Sequence, residues 1–244
     1  MATNTAAAAG AIVLAGGSGT RFGSGPNKVY LPLAGRSVIS WSINTLLTIP
    51  EVGPLVLVVR PSDRELAEWV LDREVDRGEV ELVHGGSTRQ ESELCGLRHL
   101  ASRIDDGKVD IVLIHDGARP LLSQNLASAV IHAARVSGGA IPGLPRHDLV
   151  QVSPDGQQLA GTAPGHLITV QTPQGFRAGP LLAAYEEAAR QDFVGTDTAS
   201  CVARFTDLRT RWIAGEQANF KITYTHDLLV AERVLADLGR HQLS

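Results

Sequence analysis

The stretch AIVLAGGSGTRFGSGPNKVYL, residues 11–31, limits what this chain can become more than any other part of it. Its first five residues are apolar without alternation, so a strand built from them is buried on both faces and needs a covering layer on each side. The run stops at Gly16, Gly17 and Gly19, residues that let backbone come close to a ligand. Arg21 and Lys28 follow within the same loop. Exposed backbone N–H groups and two cations therefore converge beyond the carboxyl end of a buried strand, an arrangement suited to a polyphosphate.

Downstream, apolar runs at 55–59, 80–84, 110–115 and 140–144 read as strands and alternate with helical spacing over 37–48, 62–76, 87–103 and 123–136. In the second of these helices Ser62 reads as the N-cap, with Glu65 closing a capping box and Leu66, Trp69 and Val70 facing inward. Such alternation specifies an α/β fold: a three-layer, Rossmann-like, mostly parallel sheet covered on both faces. Ligands of these sheets sit past the carboxyl ends of the strands, so the glycine loop and the turn Asp116-Gly117-Ala118-Arg119-Pro120 share one crevice. An Asp before Gly can also do no more than cap its turn.

The alternation breaks at 146–166, where polar segments 149–153 and 158–162 flank Pro154-Asp155-Gly156 and read as a hairpin. Interrupting an α/β core, it is expected to project as an arm that meets another chain or covers a site. Beyond it come the segment 169–176, a helix over 178–190, a helix capped near Thr196 or Asp197, strand-like 211–214 and 220–223, and a closing amphipathic helix over 227–238. The expected organisation is a disordered tail at 1–10, a single domain at 11–244, and an arm at 146–166.

With 244 residues, 43% of them hydrophobic, the chain can bury a full core. A net charge of −4 argues against nucleic acid as a partner, while leaving room for a local basic pocket. Cys95 and Cys201 have no metal-like or CxxC spacing and read as two buried thiols. No apolar run is long enough to span a membrane, and the uncharged Ala/Thr start lacks the basic residues of a signal peptide, so a cytoplasmic protein is expected. His84, His99, His132 and His226 carry no metal-like spacing, and Trp41, Trp69 and Trp212 lie among core-type neighbours.

Spacing separates three readings of the glycine loop. A Walker loop needs Gly-Lys followed by Ser or Thr, but Lys28 lies between Asn27 and Val29. A dinucleotide loop needs a third glycine where Phe22 stands. A nucleoside triphosphate held by backbone N–H groups, with Arg21 and Lys28 neutralising charge that grows at the α-phosphate as pyrophosphate leaves, uses the whole loop.

LAGGSGTRFG with GPNKVYLPL, GGSTRQES, IHDGARP, QTPQGF, GTDTAS and NFKIT occur in this order. The ordered set resembles the 2-C-methyl-D-erythritol 4-phosphate cytidylyltransferases over essentially all of the chain after Gly10. The resemblance implies a nucleotide-diphospho-sugar-transferase-like domain, CTP and Mg²⁺ as partners, a homodimer formed through the arm, and a place in non-mevalonate isoprenoid synthesis. It implies that Ala15, Gly16, Gly17 and Gly19 line the triphosphate and that Arg21 and Lys28 stabilise the transition state. Gly86 and Ser92 would read the cytosine with Arg89 nearby, and Asp116 would lie at the ribose and the metal. Arg119, Thr172 and Lys221 would hold the polyol phosphate, Lys221 also counting among the catalytic cations. Two positions depart from the family pattern, Leu149 where a threonine is usual and Pro164 where an arginine is usual; Arg146, His147 and His166 are the nearby side chains that could take over. Ribitol 5-phosphate cytidylyltransferases share the framework, and the LAGG form of the loop leans toward them. A CTP-binding homologue with weakened catalysis is the third reading.

Overall fold

In the computed structural model, which describes residues 7–17, 27–76, 78–162 and 165–241, the chain is organised around a strand, β1, at Ala8–Leu14. On one side β1 pairs in parallel with β4 (Val52–Val59), which pairs in parallel with β5 (Val80–His84). On its other side lies β6 (Val109–Asp116), also parallel. The expected tail thus ends earlier than residue 10. Ala8 and Ala9 donate backbone hydrogen bonds to the Lys108 and Glu51 carbonyls, and Ala9 is fully buried. Small residues suit a strand packed on both faces, which is why Ala8, Ala9 and Gly10 belong to the sheet although they read as tail.

The two faces of the central strands separate cleanly by residue parity. Ala9, Ala11 and Val13 of β1, with Leu55, Leu57, Ile111 and Leu113, face α1 (Val38–Leu47), α2 (Arg64–Glu74) and α4 (Gln124–Ser137). Ile12, Val56, Val58, Val112 and Ile114 face α3 (Arg89–Asp105), α5 (Ala178–Arg190) and α6 (Thr198–Phe205). This is the three-layer α/β arrangement read from the sequence.

Past β6 the sheet becomes mixed. β7 (Gly138–Arg146) follows α4, and β11 (Gln174–Arg177) lies antiparallel to both β6 and β7. β10 (Leu167–Val170) pairs antiparallel with β7, and β12 (Arg209–Ala214) pairs with β7 in parallel. Residues 220–223, expected as strand, lie in none; Ile222 donates to the Ala118 carbonyl, which ties this segment to the Asp116 turn, and α7 (Thr225–His241) follows. A two-residue ribbon, β2 (Pro32–Leu33) with β3 (Arg36–Ser37), precedes α1. The arm is a hairpin of β8 (Val150–Val152) and β9 (Leu159–Thr162), closed by a turn with Gly156 at φ +72°.

Other sequence expectations fail for local reasons. α2 begins at Arg64 with Asp63 at its N-cap, and Asp63 makes no capping bond because its carboxylate accepts from Arg60 at 2.7 and 3.0 Å. The helix buries Ala67 and Val70, leaving Leu66 and Trp69 exposed, Trp69 under the Arg73 guanidinium at 5.2 Å from the ring centroid. Trp212 is likewise half exposed, and Trp41 partly buried with its indole N–H on the Leu33 carbonyl. Cys201 is buried as expected, whereas Cys95 is only partly so. Among the described residues, no helix is long and apolar enough to cross a membrane.

Candidate active site

The carboxyl ends of β1 and β6 meet at one point. Leu14 and Asp116 are partners in register, and the Gly117 N–H donates to the Leu14 carbonyl at 3.0 Å. The start of the glycine loop and the Asp116 turn therefore do share a crevice. Ala15 is pinned twice, its N–H donating to the Val58 carbonyl and its own carbonyl accepting from Asn27 Nδ2 at 2.5 Å. Asn27 also donates to Asp63 Oδ2 at 3.1 Å, and Asp63 is clamped by Arg60. Lys28 opens the short 3₁₀ turn Lys28–Tyr30 directly after this clamp, so its backbone is fixed to the end of β1. Gly19 and Arg21 lie outside the described residues, as does Pro164.

A second element reaches the same place from β5. Thr88 and Glu91 form a reciprocal capping box at the start of α3, and the Ser92 hydroxyl donates to the Thr88 carbonyl at 2.9 Å, with the Gly86 carbonyl at 3.4 Å. Close approach requires glycine here: a Cβ on Gly85 would lie 2.6 Å from Ser92 Oγ, and one on Gly86 would lie 2.3 Å from Glu91 Cβ. A Cβ on Gly16 would stand 3.4 Å from the same Ser92 oxygen, so Gly16, Gly85 and Ser92 form one wall.

On the opposite side, Asp116 is almost buried and ringed by cations. Lys221 Nζ sits 2.8 Å from its Oδ2, Arg89 Nη2 3.4 Å from its Oδ1, and Arg119 Nε 3.9 Å from its Oδ2. Burial alone would raise the Asp116 carboxyl; Lys221, Arg89 and Arg119 together hold it far below the usual carboxylate range. Arg119 is buried, and its Nη1 and Nη2 donate to the Asn219 and Val170 carbonyls at 2.7 and 3.3 Å. Among the described residues its Nε–H has no hydrogen-bond partner. A buried donor without an acceptor is costly unless a ligand supplies one. An orphaned guanidinium N–H beside an ammonium is a place for an anion.

Thr172 belongs to the same cluster through a chain of bonds that also fixes a tautomer. His115 is fully buried, with Nε2 3.1 Å from the Arg119 carbonyl and Nδ1 3.2 Å from the Thr172 hydroxyl. Since a carbonyl only accepts, Nε2 carries the proton and Nδ1 accepts from Thr172. Thr172 Oγ1 in turn accepts the Asp116 N–H at 3.0 Å, and Asn219 Nδ2 donates to the Thr172 carbonyl at 2.8 Å. His115 and Asn219 were not singled out from the sequence, although each lies inside a quoted motif. Their role is to hold Thr172, Asp116 and Arg119 in register.

The residue model of the family described as "IspD: 2-C-methyl-D-erythritol 4-phosphate cytidylyltransferase" matches residues 9–237. The chain belongs to this family. It is 32% identical over 234 residues to the 2-C-methyl-D-erythritol 4-phosphate cytidylyltransferase of Bacillus velezensis, covering 95% of this chain and 98% of that one. It is 40% identical over 233 residues to the bifunctional enzyme IspD/IspF of Clavibacter michiganensis, covering 93% of this chain and 54% of that protein. Among solved structures, 4-diphosphocytidyl-2C-methyl-D-erythritol synthase of Anaerococcus prevotii superposes with a TM-score of 0.80 at 28% identity, over 94% of this chain and 96% of that one. For the cytidylyltransferase of Thermus thermophilus the TM-score is 0.69, also at 28% identity, over 94% and 98%.

In this cytidylyltransferase the residues expected to act together do converge where they are described: Ala15, Gly16, Gly86 and Ser92 on one wall, Asp116, Arg119, Thr172 and Lys221 on the other, and Arg89 between them. Arg146, a candidate replacement for the missing arginine, is instead engaged by Asp148 through two bonds of 2.7 and 2.8 Å. Leu149 is exposed on the arm.

The buried His115 carries a testable pH dependence. Burial, the largest influence, lowers it from 6.5 to about 4. The unfolded chain therefore takes up a proton between those values while the folded one does not, so stability is complete above pH 6.5 and declines as pH falls toward 4, by about 3 kcal/mol in total. Urea unfolding at pH 7 and pH 4.5 should show this loss, and His115→Gln should remove that part of the slope. An unchanged slope in the variant would exclude His115 as its source.

Proposed function

We propose that the chain is a cytidylyltransferase that joins CTP and 2-C-methyl-D-erythritol 4-phosphate to give 4-diphosphocytidyl-2-C-methyl-D-erythritol and pyrophosphate, a step of non-mevalonate isoprenoid synthesis. The observation that carries the reading is the Arg119 Nε–H, without a hydrogen-bond partner among the described residues, beside Lys221, within a site whose other wall brings Gly16 and Gly85 against Ser92. One wall suits a nucleoside triphosphate and the other a second, smaller anion. Family membership and relatives named for this reaction support the same pair of substrates.

The chemistry follows from charge. The acceptor's phosphate monoester is mostly dianionic at neutral pH, its second pKa being about 6, so an oxygen of it attacks the α-phosphorus without a general base. A bond forms between that oxygen and the α-phosphorus as the bond to the bridging oxygen breaks, and pyrophosphate departs with the electron pair. Two anions must be held in line, a task for Arg119, Thr172 and Lys221 on the acceptor and for Ala15, Gly16, Gly17 and Gly19 on the triphosphate. Arg21 and Lys28 stabilise the charge that accumulates in the transition state.

Among the described residues no group of three or more His, Cys, Asp and Glu side chains is placed to hold a metal. Mg²⁺ commonly needs only one or two carboxylates, the triphosphate oxygens completing its shell, and Asp116 fits as that carboxylate because, among the described residues, its Oδ1 has just the 3.4 Å contact with Arg89. Bound there, Mg²⁺ would neutralise charge on the triphosphate oxygens. Release of pyrophosphate from CTP by the purified protein, dependent on methylerythritol phosphate, tests the reading; no release with Mg²⁺ present would refute it.

The arm supports a homodimer. Val150, Val152 and Leu159, at 55%, 57% and 76% exposure, leave apolar side chains of both strands uncovered. Sedimentation at micromolar concentration should report a dimer, and replacing those three side chains by serine should yield a folded monomer. A wild-type monomer would refute the arm's role.

A further inference from the structure

Arg89 is held from behind by a residue that none of the motifs singled out. Glu93 stands four positions on in α3, on the same helix face, and is 1% exposed. Each of its oxygens is engaged: Oε1 accepts from Arg89 Nη1 at 2.5 Å and from the Thr198 hydroxyl at 2.8 Å, and Oε2 accepts from the Tyr185 hydroxyl at 2.5 Å. Tyr185 comes from α5 and Thr198 from the first turn of α6, so three helices converge on one buried carboxylate. The other arm of the Arg89 fork, Nη2, points to Asp116. Arg89 thus spans the site, one nitrogen on a buried anion of the helical layer and the other on the acid at the end of β6.

We propose that Glu93 is a positioning residue: its grip on Arg89 fixes the guanidinium against Asp116 and so ties the nucleotide wall of the site to the acceptor wall. Glu93 itself is buried behind Arg89 and is bonded to protein groups through both oxygens, so it acts through Arg89 and not on substrate. An arginine side chain left ungripped samples many rotamers and loses them on binding, whereas a guanidinium already held flat between two carboxylates meets the nucleotide without that loss. The same contacts give the GTDTAS motif a role, since Thr198 of that motif donates to Glu93 Oε1 while Tyr185 donates to Oε2. The inference about turnover rests on the cytidylyl-transfer reading of the site; the geometry of Arg89 does not.

The test pairs Glu93→Gln with Arg89→Gln. Glutamine keeps the volume of Glu93 and can still accept from Thr198 and donate to the Tyr185 oxygen, so the fold is retained, as an unchanged circular-dichroism spectrum would verify, while its neutral oxygen holds Arg89 by a bond about half as strong as the charged one. In ligand-free protein labelled at arginine, the Arg89 guanidinium should show hindered rotation, with resolved Nη–H signals that collapse to an average in Glu93→Gln. In turnover, Glu93→Gln should lower kcat/KM for CTP about tenfold, and the double variant should be no slower than Arg89→Gln alone, as expected for residues that act as one unit. A tenfold loss that recurs in full in the Arg89→Gln background would overturn the proposal, as would Arg89 signals identical in wild type and variant. Absence of turnover in wild type would instead refute the proposed function, and the arginine signals would still decide the role of Glu93.

Discussion

Replacing Asp116 by alanine is expected to lower the unfolding free energy by about 3 kcal/mol, near the low end for breaking a buried ion pair. The carboxylate neutralises Lys221, Arg89 and Arg119 at once, and its removal leaves three cations facing each other across a cavity. Lys221 and Arg89 reach water, which moderates the penalty; Arg119 is largely buried. Turnover should fall by at least about 10²-fold, because the acceptor phosphate would enter a site whose cations had lost their common anchor. The expected outcome for Asp116→Asn is milder in stability, since the amide fills the space and still accepts a bond from Lys221, but comparable in turnover. Urea titration and steady-state pyrophosphate release check both variants. An alanine variant as stable and as fast as wild type would remove Asp116 from the centre of the site.

The second large effect is at Lys28. Its backbone is fixed by the Asn27 bonds to Ala15 and Asp63, contacts that a change of the Lys28 side chain leaves in place. Lys28→Ala should therefore keep the fold, with a melting temperature close to that of wild type, while kcat falls by about 10²–10³-fold, the usual loss for one preorganised stabilising group. KM for CTP should change less than kcat if the charge acts chiefly in the transition state. A kcat within a few-fold of wild type would contradict the role given to the loop.

Much of this architecture was legible because the strands that build the site are apolar on both faces and end in abrupt turns. LVLVV, DIVLIH and AIVLA have no other stable use than the centre of a covered sheet, and the GG and DGARP turns mark which end carries the ligand. The α2 face was misjudged by one position. Weight given to the large residues Leu66 and Trp69 over the small Ala67 pointed the helix the wrong way, whereas close packing at that point needs the small side chain. Ser62 failed as a cap because it lies within a 3₁₀ turn, Pro61–Asp63, that precedes the helix, and its hydroxyl donates to Asp63 Oδ1.

The site was readable where a motif supplied its own cation or glycine, and silent where neutral or anionic groups hold those cations in place. Asn219, His115 and Thr198 lie in quoted motifs yet carry no chemistry alone, and their function appears only when β6, β11, α6 and the segment before α7 are brought together. Glu93 left a fainter trace, its four-residue spacing from Arg89 on one helix face, which by itself more often marks an exposed ion pair than a buried one. The antiparallel insertion of β11 between β6 and β7 was also beyond local pattern, since strand order is set by long-range pairing.

The choice of acceptor is the central claim, because the arm carries Leu149 where the family pattern has a threonine while Asp116 keeps Lys221, Arg89 and Arg119 around it. The decisive measurement is kcat/KM for pyrophosphate release from CTP, made side by side with 2-C-methyl-D-erythritol 4-phosphate and with ribitol 5-phosphate at the same Mg²⁺ concentration. The prediction is rapid release with the methylerythritol phosphate and little with the ribitol phosphate. Turnover with ribitol 5-phosphate alone, or tight CTP binding with turnover of neither, would contradict it.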